Sequence, residues 1–184
     1  MLATCLKTTA SVLAGLLMML AGASVAADAP PSREAQMKAA YVFNFLKFVE
    51  WQNSESSAPL EICFAGAKDV LDAFVISTAD KTVGAREISV RSVSGKSKDV
   101  LARCDALYVD SAEDLGAMLP AQGRSILTIG DADAFTREGG VIRLHMESNR
   151  LRFTVNVDNA KRSGLLVSSN LLKLATRIEQ GTSP

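Results

Sequence analysis

Short apolar runs alternate with helix-like stretches along most of this chain, and the alternation constrains the fold more than any other feature. The runs with strand character are 60–65, 87–93, 106–109 and 125–129, and the helix-like stretches are 34–50, 68–77, 98–102 and 112–118. A sheet whose strands are connected by helices is covered by those helices on both of its faces. The pattern therefore predicts an α/β domain.

The C-terminal part predicts a different local arrangement. Runs 141–146 and 151–157 flank the polar residues 147–150, which is typical of a β-hairpin. Residues 131–137 predict a helical turn capped by Asp131, and 165–178 predict a final amphipathic helix. Because a hairpin is antiparallel, the sheet is expected to be mixed. We predict a single α/β domain with a mixed, mostly parallel sheet, helices on both faces, and a C-terminal β-hairpin plus helix.

Residues 1–27 differ in composition from the rest of the chain. Their only charge is Lys7, an apolar run covers 12–21, and small residues end at Ala27. This order is typical of a secretory signal peptide. The alternative is a membrane anchor, which needs about 20 apolar residues, and the run reaches that length only if the small residues are counted. We expect cleavage after Ala26 or Ala27, a mature leader over 28–33, a domain over 34–180, and no stable membrane insertion after cleavage.

The chain contains three cysteines. Cys5 lies in the predicted signal peptide, so Cys63 and Cys104 are the two that reach an oxidising compartment, where disulfides persist. Cys63 lies in one predicted strand and Cys104 directly precedes another, and adjacent strand ends can bring two Cα atoms to about 5.5 Å. A disulfide is therefore expected, and two buried free thiols are the alternative.

Composition and motifs argue against several classes of function. Lys plus Arg total 20 and Asp plus Glu total 20, which argues against a nucleic-acid partner bound through a basic patch. The chain has no G-x-S-x-G elbow and no glycine-rich phosphate loop, and His145, its single histidine, lies in a predicted strand. Two thiols and one imidazole are too few for a zinc site. We predict no enzymatic activity, no catalytic residue, no metal and no cofactor.

Two stretches are candidates for an interaction surface or a pocket. Residues 39–51 are apolar nearly all round a helix, which indicates core packing or a helix that also lines a pocket or interface. Arg150 and Arg152 alternate with apolar residues, and this face of the strand is either solvated or binds a carboxylate. The candidate residues are Tyr41, Phe45, Trp51, Arg152 and Asn156.

Six stretches, taken in order, carry a family resemblance. They are AAYVFNFLKFVEW at 39–51, PLEICFAG at 59–66, RCDALYV at 103–109, LTIGD at 127–131 with Phe135 and GGVI at 139–142, LRFTVN at 151–156, and SGL at 163–165 with SSNLLKLA at 168–175. The ordered set resembles the YfiR family of exported bacterial proteins.

The resemblance implies a periplasmic protein with a regulatory role. More specifically, it implies binding to the periplasmic sensor part of an inner-membrane diguanylate cyclase, which restrains the enzyme, lowers cyclic-di-GMP and so affects biofilm formation. The family's cysteines match Cys63 and Cys104, but the second bridge of some members has no counterpart here. The alternative function is a periplasmic small-molecule sensor or carrier domain. A homodimer is compatible with both functions.

Overall fold

The computed structural model describes residues 29–52, 58–93, 103–110 and 125–180. The predicted signal peptide and the predicted helices at 98–102 and 112–118 lie outside these residues. The chain from Pro31 onward forms one compact unit. Within the described ranges the fold consists of ten strands and four helices.

The described helices, in chain order, are α1 (Arg33–Lys47), α2 (Lys68–Thr78), α3 (Val157–Arg162) and α4 (Ser169–Leu174). Ser32 caps α1, because its Oγ accepts a hydrogen bond from the N–H of Ala35 at 3.1 Å. Among the described helices none combines the length and the apolar character that a membrane span requires.

The strands belong to two sheets. They are β1 (Val49–Trp51), β2 (Leu60–Ala65), β3 (Thr82–Val83), β4 (Arg86–Val93), β5 (Ala106–Val109), β6 (Leu127–Gly130), β7 (Ile142–Glu147), β8 (Arg150–Asn156), β9 (Leu165–Val167) and β10 (Arg177–Glu179). Eight strands form the main sheet in the order β10-β8-β7-β6-β5-β2-β4-β3, and β1 pairs with β9 in a small antiparallel sheet. In the main sheet only β7–β8 and β3–β4 are antiparallel, so the predicted mixed, mostly parallel sheet is confirmed.

The predicted hairpin is formed by β7 and β8. Its two-residue turn consists of Ser148 and Asn149, both with positive φ (48° and 59°). Two successive residues with positive φ match the right-handed twist of the strands they connect, and asparagine tolerates that conformation. The turn fixes the register, in which Glu147 faces Arg150 and His145 faces Arg152.

Buried side chains cover both faces of the main sheet. On the first face, Ile62, Phe64 and Tyr108 belong to a core cluster to which all four described helices contribute. On the second face, Cys63 and Leu107 belong to a smaller cluster. Neighbouring residues of a strand point to opposite faces, which explains why β2 and β5 contribute to both clusters.

A disulfide joins Cys63 to Cys104 within the second cluster. Their Cα atoms are 5.8 Å apart and both residues are buried. The structure therefore contains the bond and not the alternative pair of free thiols.

The prediction of one helix over 165–178 is wrong. The segment forms β9, α4 and β10 in succession, and α4 ends at Leu174, followed by Ala175 with extended backbone angles. β9 pairs with β1, and β10 pairs with β8. The strand pairing with distant parts of the chain outweighs the local helical periodicity. For the same reason the first helix ends at Lys47 and not near residue 50, because 49–51 form β1.

The segment 131–137 contains the predicted helical turn but not the predicted cap. Its backbone forms turns, with hydrogen bonds from Phe135 N to Ala132 O (3.0 Å) and from Glu138 N to Ala134 O (2.9 Å), and no helix. Asp131 is not a helix cap, because its carboxylate is bound by Lys38 at 2.6 Å.

Candidate functional site

The second face of β7, β8 and β10 is lined by polar side chains. Leu151, Phe153 and Val155 of β8 belong to the first core cluster, so the residues between them lie on the second face. The strand register places residues 143, 145 and 177 of the neighbouring strands on that same face. The result is a continuous polar strip at one end of the sheet.

We use "arginine strip" for the four arginines of this face, which are Arg143, Arg150, Arg152 and Arg177. Arg143 forms an ion pair with Asp133. The other three are exposed and form no ion pair among the described residues, although Glu147 lies opposite Arg150 in the hairpin. An exposed guanidinium group without an ion pair can bind a carboxylate through two parallel hydrogen bonds. The strip is therefore suited to an acidic partner surface.

His145 lies within this face, opposite Arg152. Its Nδ1 atom is buried and has no hydrogen-bond partner in the described part of the chain, and the same holds for Nε of Arg143. No serine, cysteine or carboxylate is hydrogen-bonded to the imidazole among these residues, so the geometry gives it no nucleophile to activate.

A polar cleft of about 360 Å³ lies beside β10 at the end of the same face. Its lining residues are Thr136, Arg137, Asn156, Asn159, Arg162, Ile178, Glu179 and Gln180. We call it the β10 cleft. Asn156, one of the candidate residues chosen from the sequence, lines this cleft.

Asn156 lies on the same strand face as Arg152, but it is buried where Arg152 is exposed. It is only 7% exposed and acts as the N-cap of α3. Its Oδ1 accepts hydrogen bonds from the N–H groups of Asn159 (2.9 Å) and Asp158 (3.2 Å). Because β8 ends where α3 begins, the asparagine caps the helix and is buried instead of solvated.

Asn159 fixes the walls of the β10 cleft. Its amide donates to the carbonyl oxygens of Thr136 (2.8 Å) and Gly140 (2.6 Å), and its Oδ1 accepts from Arg162. The side chain is buried and all of its hydrogen-bonding groups are used. Asn159 therefore ties the turn over 133–140 to α3.

The aromatic candidates lie elsewhere. Phe45 is 1% exposed and packs against Phe153, with ring centroids 5.0 Å apart. Tyr41 donates its hydroxyl to the carbonyl of Leu151 (3.0 Å), and Trp51 donates Nε1 to the carbonyl of Asp105 (2.9 Å). All three contribute to the first core cluster or pack against it, and none lines the β10 cleft.

Ligands of open α/β sheets usually bind beyond the carboxyl ends of the parallel strands. Here α1 meets those ends. Ser32 donates to Asp69 after β2 (2.6 Å), and Lys38 contacts both Asp131 after β6 (2.6 Å) and Glu34 (2.8 Å). The polar groups of this edge are thus used for contacts within the chain.

Two pKa shifts reflect this network. Burial raises the pKa of Tyr108, and the negative charge of Asp131 adds to the effect. Burial disfavours the charged form of Lys38, but hydrogen bonds and charge from Asp131 and Glu34 outweigh it, so the pKa of Lys38 is raised. Both shifts keep the groups protonated, which suits a structural role.

Sequence reasoning missed Arg137, Asn159 and Arg162. Asn159 and Arg162 lie on α3, a helix of six residues that the sequence did not predict, and Arg137 lies on the turn. The useful signal was the pair of asparagines at 156 and 159, because asparagine favours helix caps and turns.

Two comparisons with known proteins agree with the fold. The family model described as YfiR/HmsC-like matches residues 35–176. The crystal structure of a conserved domain protein from Vibrio cholerae O1 biovar eltor is similar, with a TM-score of 0.55 and 11% sequence identity. The match covers 79% of this chain and 60% of that one, and at this identity it shows the fold alone.

Proposed function

Because the chain belongs to the YfiR/HmsC-like family, we propose that it is a periplasmic regulator that binds and restrains a membrane signalling protein. The signalling protein that we propose is a diguanylate cyclase, contacted through its periplasmic sensor part. Binding would hold the cyclase in a less active state and so lower cyclic-di-GMP. The chain itself performs no catalytic step in this proposal.

The disulfide supports the proposed compartment. The bond between Cys63 and Cys104 is buried in the second core cluster. Structural disulfides form in secreted and periplasmic proteins and are rare in the reducing cytosol. A protein whose core contains one is therefore suited to export.

The arginine strip is the observation that carries the proposed binding role. Arg150, Arg152 and Arg177 are exposed on one face of the sheet. Arginine is enriched in protein interfaces, where its planar group binds carboxylates in a fixed geometry. We propose that this face contacts acidic residues of the sensor part.

A charge reversal tests the contact. In a strain that lacks the gene, the exported wild-type chain should restore a low level of cyclic-di-GMP, and the Arg152→Glu variant should not. Arg152 is exposed, so the variant should fold normally, while a like charge facing a partner carboxylate weakens binding by about tenfold or more.

Lys173→Glu is the matched control, since Lys173 is exposed on α4, a helix that packs on the opposite face of the sheet. It should restore cyclic-di-GMP as well as the wild type does. Equal restoration by Arg152→Glu and the wild type would remove the arginine strip from the proposed interface.

A small-molecule sensor or carrier is the second candidate function. The β10 cleft favours it, because a concave site of about 360 Å³ falls within the size range of ligand pockets. The level of cyclic-di-GMP after deletion of the gene distinguishes the two functions. A pure carrier leaves cyclic-di-GMP unchanged when its gene is deleted, whereas a regulator of a cyclase does not.

A further inference from the structure

We propose that the β10 cleft is a binding site for a small hydroxy acid, whose carboxylate is held by the guanidinium groups of Arg137 and Arg162. The proposal concerns the cleft alone and holds whether or not the protein restrains a cyclase.

Neither Arg137 nor Arg162 forms an ion pair with a carboxylate of the described residues. Arg162 donates a hydrogen bond to Oδ1 of Asn159, a neutral acceptor, so its position is fixed while its charge remains. Arg137 is exposed and has neither an ion pair nor a hydrogen bond among the described residues. Guanidinium groups bind carboxylates through two parallel hydrogen bonds, which gives both affinity and orientation.

Glu179 narrows the class of ligand. Its carboxylate lines the same cleft, and its Cα pairs with that of Asn156 across β8 and β10. With two cations and one anion in the lining, the site favours a ligand with a single negative charge over a dianion. A carboxylate of Glu179 also accepts hydrogen bonds, so the ligand should carry a donor such as a hydroxyl group.

The rest of the lining agrees with a polar ligand. Thr136 and Gln180 are polar, and Ile178 is the only strongly apolar residue of the lining. Asn159 already holds the turn against α3 through its bonds to Thr136 and Gly140, so the walls are ordered before a ligand enters. A preformed site avoids most of the entropy loss of ordering on binding.

Calorimetric titration of the protein purified from the periplasm tests the proposal. The probes are four hydroxy acids: lactate, glycerate, gluconate and glucuronate. Acetate is the control monoanion without hydroxyl groups, and sulfate is the control dianion. At least one hydroxy acid should bind with a dissociation constant of about 1 mM or lower, and more tightly than both acetate and sulfate.

Variants separate the cleft from the general positive charge of the surface. Arg137→Gln and Arg162→Gln should each weaken hydroxy-acid binding by about tenfold or more, and Arg177→Gln, which removes an exposed arginine outside the cleft lining, should not. Arg137 has no structural bond, so its variant keeps the test valid even if Arg162→Gln lowers the melting temperature.

The proposal is overturned if none of the four hydroxy acids binds at about 10 mM, or if acetate and sulfate bind equally well. It is also overturned if binding survives in Arg137→Gln. Because the titration does not involve cyclic-di-GMP, its failure is distinguishable from failure of the proposed regulatory function.

Discussion

The disulfide between Cys63 and Cys104 should contribute strongly to the free energy of unfolding of this protein. Cys63 and Cys104 are 41 residues apart in the sequence, and cross-linking a loop of this length removes entropy from the unfolded chain worth about 4 kcal/mol. For a domain of this size the loss corresponds to a fall in melting temperature of roughly 8–16 °C. Cys63→Ala, Cys104→Ala and the double variant each abolish the same bond.

Urea unfolding of protein purified from the periplasm measures the effect. Each single variant should lower the free energy of unfolding by about 4 kcal/mol, and the double variant should lose about the same amount, because the second substitution has no bond left to remove. Reductant present throughout unfolding should destabilise the wild type by a similar amount and leave the double variant unchanged.

Val93→Ala is a matched control, since Val93 is buried in the same cluster and its substitution leaves the disulfide in place. It should be less stable than the wild type and should still lose about 4 kcal/mol more when reductant is added. The reasoning is refuted if the losses of the two single cysteine variants add up in the double variant, or if reductant leaves the wild type unchanged.

Three further substitutions test other parts of the fold. Lys38→Met should cost about 1–3 kcal/mol, because it leaves two carboxylates without their partner, and the difference from the wild type should shrink as the pH rises above 10.5. Asn159→Ala should cost about 1–3 kcal/mol, since the Gly140 carbonyl loses its donor and the Thr136 carbonyl keeps only the longer bond from Asn156 (3.3 Å). Gly140→Ala should cost about 1–3 kcal/mol, because its new Cβ would lie 2.1 Å from the Phe135 ring.

The sign of the pH effect follows from the direction of the Lys38 shift. A raised pKa in the folded protein means that the ion pairs stabilise it fully below the unfolded value of 10.5 and that this stability is lost as the pH passes through the higher folded value. A wild-type advantage over Lys38→Met that stayed constant through this range would contradict the ion-pair account.

Two controls accompany the other variants in thermal unfolding. Asn170→Ala removes an exposed side chain and should leave the melting temperature nearly unchanged, in contrast to Asn159→Ala. Gly84→Ala has open space around the new Cβ, so it reports only the strain of a positive φ, whereas Gly140→Ala reports the clash. Equal melting temperatures of Asn159→Ala and Asn170→Ala would count against the hydrogen bonds of Asn159. Equal melting temperatures of Gly140→Ala and Gly84→Ala would count against the close contact with Phe135.

The sheet could be predicted from the sequence because its signals are local. The mostly apolar run 60–65 lies between a proline and a glycine, and 106–109 lies between two aspartates. The two residues of the hairpin turn are a serine and an asparagine. These patterns depend on burial and turn geometry within a few residues. Their predicted bounds therefore match β2 and β5.

The C-terminal segment could not be predicted in the same way. Residues 165–167 and 177–179 become strands only because β1 and β8 offer them partners that are distant in the sequence. The β10 cleft combines the turn at 136–137, α3 and β10, so its arginines come together only in the folded chain. The arginine strip is partly predictable, because the alternation around Arg152 is local, but the burial of Asn156 depends on the start of α3.

The level of cyclic-di-GMP in a strain that lacks the gene tests most directly whether the exported chain restrains a cyclase, as we propose. We expect the level to rise on deletion and to fall again when the full chain is supplied. A chain without residues 1–27, which remains in the cytoplasm, should not restore it. An unchanged level in the deletion strain would contradict the claim.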